Sequence, residues 1–302
     1  MGILVVGSVA LDSIQTPSGH AEEILGGSAT HFSIAASYFT DVSMVAVVGD
    51  DFPQEHVAFL QRKGIDTSGL WRQAGRTFRW KGEYTGDLNT AKTLDTQLNV
   101  FAEFNPRMTA AQRRSECLFL ANIDPDLQRG VLEQMQKPRI VACDTMNYWI
   151  DSKLESLKRT VSLVDIVLIN DAEVRHLAGE QNVFTAARRI LAWGPRIIVV
   201  KRGEHGSAMI GPKMIFEVPA YPLESVVDPT GAGDSFAGGF MGYLAAKGTS
   251  DDAALRQALV FGSVMGSFSV MEFGSRRLGA LTFPEIMERF HELKQLTEFN
   301  DV

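Results

Sequence analysis

Short apolar runs recur along this chain at 3–6, 44–48, 118–120, 140–142, 166–169 and 197–200, several of them apolar at every position. A strand with one wet face alternates polar and apolar residues. A strand with no polar position is covered on both faces, and parallel sheets are the structures that cover both. Segments with helical spacing of apolar residues lie between the runs, at 30–39, 55–63, 126–136, 152–160, 171–178 and 184–193. Three more follow at 234–247, 251–270 and 284–296. This rhythm predicts an α/β fold, a mostly parallel central sheet with helices on both faces. With 302 residues, 45% of them hydrophobic, the chain has ample core for one such unit, and it shows no repeat, low-complexity tract or long linker.

One stretch breaks the rhythm. Phe78, Trp80 and Tyr84 alternate with Arg79, Lys81 and Glu83, and Leu94, Thr96, Leu98 and Val100 alternate with Asp95, Gln97 and Asn99. A turn is expected at 86–89. The pattern predicts half-exposed antiparallel strands, a small β excursion over about 75–104 on the parallel core.

The net charge is −7 and no long Lys/Arg run occurs, so no nucleic-acid surface is expected. No run of eighteen apolar residues exists, so no membrane span is expected. The two cysteines, Cys117 and Cys143, lie in or beside apolar runs and read as buried free thiols. A reducing, cytoplasmic setting suits them.

The most specific chemistry lies at 228–240, Asp-Pro-Thr-Gly-Ala-Gly-Asp-Ser-Phe-Ala-Gly-Gly-Phe. Gly231, Ala232 and Gly233 permit a tight turn that aims bare N–H groups at a ligand, and Phe236, Ala237, Phe240, Met241 and Leu244 then recur at helical spacing. A helix N-terminus suits an anion such as phosphate. Asp234, at that positive end, is expected to stay ionised at pH 7 and to serve as a proton acceptor beside the anion hole.

Polar residues also follow the other apolar runs: Gly7, Ser8 and Asp12; Asn122; Cys143, Asp144 and Asn147; Asn170 and Glu173; Lys201, Arg202 and Gly203. Ligands of open α/β sheets bind beyond the carboxyl ends of the strands, so these residues point to one site on one edge.

The string at 228–240 resembles the C-terminal signature of the ribokinase (PfkB) family of carbohydrate and nucleoside kinases. Gly26-Gly27-Ser28-Ala29-Thr30-His31 resembles the family's N-terminal glycine pair, and Asn170-Asp171-Ala172-Glu173 its Asn-x-x-Glu motif. The resemblance runs from Val6 to about Gly274. It implies a ribokinase-like three-layer sandwich in which the excursion at 75–104, with part of 12–26, forms a lid that excludes water and pairs with another subunit to give a homodimer. It implies Asp234 as catalytic base and the amides of Gly231, Ala232 and Gly233 as anion hole. Asp12, Gly26, Gly27, His31, Asn122 and Asn147 would bind the acceptor, a sugar or related polyol, with a nucleoside as the alternative. Asn170, Lys201, Gly203, Gly206 and Gly274 would bind ATP. Asn170 and Glu173 would place magnesium, and the carbonyls of Asp228 and Thr230 a monovalent cation such as potassium. Val48-Gly49-Asp50-Asp51 and Gly64-Ile65-Asp66-Thr67-Ser68 match family spacing and read as turns and caps.

Three positions depart from the family pattern. Ala10 and His31 stand where asparagine is common, and Gln54 where glycine is usual. The first two alter acceptor contacts and leave the phosphate machinery untouched. A non-catalytic ligand-binding protein on this fold is the rival reading, and Asp234 argues against it. An oxidoreductase is disfavoured, because Gly7-Ser8-Val9-Ala10 lacks the G-x-G-x-x-G spacing.

Overall fold

The computed structural model describes residues 2–86 and 88–298; Asp87, in the expected turn at 86–89, lies outside the described residues. In chain order the elements are β1 (Gly2–Val6), β2 (Ala10–Thr16), β3 (Gly19–Gly26), α1 (Ser28–Ala36), β4 (Asp41–Gly49), α2 (Gln54–Arg62), β5 (Ile65–Gln73), β6 (Phe78–Glu83) and β7 (Lys92–Gln97). There follow β8 (Cys117–Leu120), α3 (Pro125–Gln134), β9 (Ile140–Asp144), α4 (Asn147–Ser152), α5 (Leu154–Val161), β10 (Ile166–Asn170), α6 (Asp171–Ala178), α7 (Val183–Leu191) and β11 (Ile197–Lys201). The chain closes with β12 (Ser207–Ile210), β13 (Ile215–Val218), α8 (Ala232–Lys247), α9 (Asp252–Ser269), α10 (Arg276–Ala280) and α11 (Phe283–Gln295).

Each of the six apolar runs lies in a strand of one nine-stranded sheet, ordered β13-β12-β11-β10-β9-β8-β1-β4-β5. The seven strands from β11 to β5 run parallel, and β12 and β13 add an antiparallel edge. Successive side chains of a strand point to opposite faces, and here both faces are apolar. Ile3, Val5, Phe119 and Leu168 pack with α1, α8, α9 and α11 on one side, whereas Leu4, Val6, Leu118 and Val167 pack with α3, α5, α6 and α7 on the other. The result is three layers, helix on sheet on helix, as expected. Cys117 and Cys143 are buried free thiols. Among the described residues no helix is long and apolar enough to cross a membrane.

A second sheet, β3-β2-β6-β7, stands apart from the first. β6 is antiparallel to β7, as the alternation suggests, but parallel to β2, with Asp12 opposite Trp80. A parallel neighbour arrives through a long crossover, here everything from β3 to β5, and leaves no trace in local alternation. The second strand is also shorter than expected. β7 stops at Gln97, and Asn99, at φ 49°, starts a 3₁₀ turn over Asn99–Glu103 that buries Val100 against the main sheet. Of the segment read as turn and cap at 64–68, Gly64 sits in a turn at φ 76°, and residues 65–68 also open β5. That strand is at the edge of the main sheet and carries polar residues at most positions, which hides its pairing with β4.

Phe32 of α1 and Phe119 of β8 are fully buried and stack with centroids 4.2 Å apart and planes within 5°. This contact fixes α1, and the glycine pair before it, to the centre of the sheet. Phe119→Ala is expected to destabilise the fold by about 3–5 kcal/mol, read as a lower urea midpoint at unchanged slope. A midpoint equal to the parent's would show that the stack carries no such weight.

Candidate active site

β1 is flanked by β4 on one side and β8 on the other, so the winding of the chain reverses there. Open α/β sheets bind ligands in the crevice at such a point, beyond the carboxyl ends of the strands. The strands deliver Asp144, Asn170 and Lys201 at their last positions, with Ser8 and Asn122 just beyond β1 and β8.

The N-terminus of α8 sits on this edge. Helices α3, α6, α7 and α9 begin with Asp124, Asn170, Asn182 and Asp251, each accepting a backbone N–H of its first turn. α8 begins at Gly231 with no side-chain cap. Gly231 is left-handed, at φ 73°, and a methyl there would also run into the ring of His31. The Ala232 amide is taken by the Pro229 carbonyl at 3.2 Å, while the amides of Gly231, Gly233 and Asp234 have no partner among the described residues. The open donors are therefore those of Gly231, Gly233 and Asp234, rather than the expected trio with Ala232.

The loop before α8 is braced by Asp228, which is fully buried. Its two carboxylate oxygens accept the amides of Thr230 and Gly274, each at 2.9 Å. The main-chain carbonyls of Asp228 and Thr230 accept no hydrogen bond among the described residues. The Thr230 hydroxyl donates to the Tyr84 hydroxyl at 3.1 Å, which ties the loop to the small sheet. Thr16 and Ser18, at the β2–β3 turn, donate to the carbonyls of Val227 and Val226 at 2.8 and 3.2 Å.

Asp234 is half-buried. Burial, aided by the nearby charge of Asp144, pushes its carboxyl up to about 7 against the opposing effect of Lys201. Burial thus works against the expectation that the helix terminus keeps it ionised at pH 7. Lys201 is paired with Asp144 at 2.7 Å. Asp144 and Lys201 lie on β9 and β11, one on each side of β10, which delivers Asn170. Asn170 and Glu173 form a capping box, with the Glu173 amide donating to the Asn170 side chain at 2.8 Å and the Asn170 amide to Glu173 at 3.0 Å. Glu173 is nearly buried, and burial first, then Asp144, holds its pKa above the usual range.

On the other side of the crevice, Asp12 of β2 is 5% exposed and lies against Gly26, where any side chain would collide with its carboxylate. Gly27, at φ 95°, has the backbone of 8–10 pressed on its Cα and starts α1. Burial raises the Asp12 carboxyl to about 7, with the Gly27 amide working against the shift and Asp228 and Asp234 adding to it. His31 is buried, its Nδ1 has no partner, and burial lowers its pKa to about 4, so the imidazole is neutral.

Asn122 meets α4, accepting from Trp149 Nε1 at 3.0 Å and donating to Met146 Sδ at 3.1 Å. Asn147 is exposed at the start of α4. Gly203 sits under the Asn89 side chain from the β6–β7 connection. Gly206 serves the turn into β12: it is at φ 84°, and its Cα abuts the Val218 carbonyl. Tyr84 joins the site although sequence reasoning gave it no part there, and Asp144, already grouped with the polar residues of this edge, gains a partner in Lys201. Asp144 was visible as the polar residue that ends an apolar run; Tyr84 carried no signal beyond strand alternation.

The family model described as pfkB family carbohydrate kinase matches residues 2–279. The cytidine kinase of Thermococcus kodakarensis is 29% identical over 80% of this chain and 88% of its own. The nucleoside kinase of Methanothermobacter thermautotrophicus is 26% identical over 91% of both. The fructokinase of Klebsiella pneumoniae is 28% identical over 45% of this chain and 44% of its own. Among solved structures, the Burkholderia thailandensis nucleoside kinase in complex with inosine has a TM-score of 0.80 at 20% identity, over 96% of this chain and 97% of that one. The Vibrio cholerae fructokinase bound to fructose, ADP and calcium has a TM-score of 0.78 at 17% identity, over 96% and 98%. At those identities the likeness is one of fold. With nine-tenths of its length under one family model and the matching glycine-rich helix start at its sheet edge, this chain belongs to the pfkB family of carbohydrate kinases.

Proposed function

We propose that this protein transfers the γ-phosphate of ATP to a hydroxyl of a sugar or nucleoside, with Asp234 as base. The observation that carries the reading is the uncapped start of α8, where the open amides of Gly231, Gly233 and Asp234 adjoin a carboxylate balanced near neutrality. Asp234 accepts the proton of the acceptor alcohol as its oxygen attacks phosphorus, and the amides meet the charge on the transferring group. Asp12, backed by Gly26 and Gly27, holds further hydroxyls of the acceptor, with His31, Asn122 and Asn147 around them. Asn170, Lys201, Gly203, Gly206 and Gly274 form the nucleotide side.

Magnesium suits the residues present. Among the described residues no cluster of three or more His, Cys, Asp or Glu could hold a metal, which fits an ion that keeps its waters and arrives on phosphate. Asn170 and the carboxylate oxygen of Glu173 outside the capping box would hold it, and its chemistry is to screen phosphate charge. The unused carbonyls of Asp228 and Thr230 suit a monovalent cation. The small sheet is read as a lid on a single catalytic unit. β7 is exposed throughout, and Leu94 within it and Leu98 just past its end are 44% and 46% exposed, which supports pairing with a second copy. Buried free thiols support a cytoplasmic setting.

Within the family, a nucleoside acceptor is favoured. The nucleoside-kinase relatives align over most of both chains, whereas the fructokinase aligns over less than half. Tyr148 and Trp149 are also in edge contact at 4.8 Å beside Asn122, with Tyr148 59% exposed, and offer a wall for a base.

An ADP-release screen with ATP and magnesium over sugars, polyols and nucleosides tests the reading. The highest kcat/KM is expected for a nucleoside; a free sugar in first place would overturn that choice, and tight acceptor binding without turnover would favour the non-catalytic rival. With the acceptor in hand, Asp234→Asn should lower kcat by about 100-fold or more at unchanged acceptor affinity. Turnover near the parent's would remove Asp234 as base.

The acid limb of kcat/KM provides a separate check. The base must be ionised, and its carboxyl lies at about 7, so the rate should rise with pH through about 7 and fall below it. Asp12 titrates in the same range, so the limb should be steeper than one proton predicts. A limb centred near 4 would show that bound water keeps these carboxylates in their ordinary range.

A further inference from the structure

We infer that Asp144 is a positioning residue for phosphoryl transfer, holding the Lys201 ammonium beside Gly233 so that its two remaining N–H donors take oxygens of the transferring group. The inference rests on the kinase reading above and adds a cation supplied by the chain itself.

The geometry is specific. Lys201 Nζ donates to Asp144 Oδ2 at 2.7 Å, and the two side chains are 15% and 6% exposed. Asp144 is itself fixed. Its Oδ1 accepts the Thr145 amide at 2.8 Å, and its carbonyl accepts from Gln128 of α3 at 3.1 Å. The carboxylate therefore cannot swing away from the lysine. A methyl placed on Gly233 would stand 3.1 Å from Lys201 Nζ, so the ammonium lies against the first turn of α8. Asp144 is its one hydrogen-bond acceptor among the described residues.

A lysine kept only for stability would fill its donors or extend its head into water, because a buried pair by itself adds little. This one keeps two donors unfilled beside three unpaired amides, which together make a site for an anion with several oxygens. Burial works against its charge, but Asp144 and Glu173 hold its pKa above the ordinary lysine value, so it remains an ammonium at neutral pH. In the transfer step the acceptor oxygen bonds to the γ-phosphorus and its proton passes to Asp234. The bond from that phosphorus to the β–γ bridging oxygen breaks, and its electron pair leaves on ADP. Lys201 keeps its protons throughout and contributes only N–H···O contacts.

The test compares Lys201→Met, Lys201→Arg, Asp144→Asn and the double variant Lys201→Met/Asp144→Asn. Steady-state kinetics are joined by calorimetric titration with tripolyphosphate and with adenosine. Lys201→Met should lower kcat by about 100-fold at unchanged acceptor KM, and Lys201→Arg should recover most of the loss. Asp144→Asn should lose less, and the double variant no more than Lys201→Met alone, because Asp144 acts through the lysine. Tripolyphosphate binding should weaken in Lys201→Met while adenosine binding holds. A kcat and tripolyphosphate affinity within about twofold of the parent's in folded Lys201→Met would overturn the inference. So would losses that multiply in the double variant, or equal weakening of adenosine. If the parent turns over no acceptor, the kinase reading falls, and the tripolyphosphate comparison alone decides this one.

Discussion

A charge imbalance organises the carboxyl edge of the main sheet. The charge of Asp144 bears on both Glu173 and Asp234 in a largely buried corner that they share with the ammonium of Lys201. Removing water from several carboxylates is unfavourable, and one lysine offsets part of it. The remainder appears as raised pKa values at Glu173 and Asp234, which favours their protonated forms. A site in this condition is matched to proton acceptance near neutral pH. It is also matched to a ligand that brings its own cation together with its negative charge.

That corner exists because α8 is held with its N-terminus bare. The reason lies further along the same helix. A methyl on Gly238 would strike the Phe32 carbonyl, and one on Gly239 would stand 2.6 Å from the Phe261 carbonyl. A methyl on Gly242 would stand 2.9 Å from Ala36 Cα. These glycines weaken the helix as a helix, by about 1 kcal/mol each relative to alanine, and let it lie in close contact with α1 and α9. Glycine in the first turn then leaves open amides, and glycine in the second and third serves packing. The length of the motif at 228–240 reflects both demands.

Much of this was legible in the sequence. All-apolar runs such as 3–6 and 166–169 marked buried parallel strands, because nothing else so short leaves out every polar residue. Asp234 and its glycines marked the start of α8, and Asn170 with Glu173 that of α6. What stayed hidden was non-local. β5 disguises its pairing behind edge polarity, and the parallel partnership of β2 and β6 depends on a crossover. The upward push on the Asp234 carboxyl stayed hidden too, because the helix terminus is visible in sequence, whereas burial is a property of the packed site. Tyr84 gave no hint, since its hydroxyl finds Thr230 only after the small sheet folds over the loop.

The small sheet bears on acceptor choice for the same reason. Asp12 lies on β2, and the turn that joins β2 to β3 is hydrogen-bonded through Thr16 and Ser18 to the strand-free segment at 226–227. Gly274, whose amide holds Asp228, has the Ile24 side chain against its Cα. Asp12 and the loop before α8 are thereby parts of one braced unit, so on the proposed reading a change of acceptor that moves Asp12 also loads that loop. On the same reading, acceptor contacts free to vary lie elsewhere, at Asn122 and the rim of α4, whereas the ring of His31 packs against Gly231 at the start of α8. Ala10 and His31 fall on this acceptor side, while Asp228 through Asp234 keep the family pattern. Chemistry held rigid by shared hydrogen bonds and recognition placed on separate side chains together explain how one fold serves free sugars and nucleosides alike.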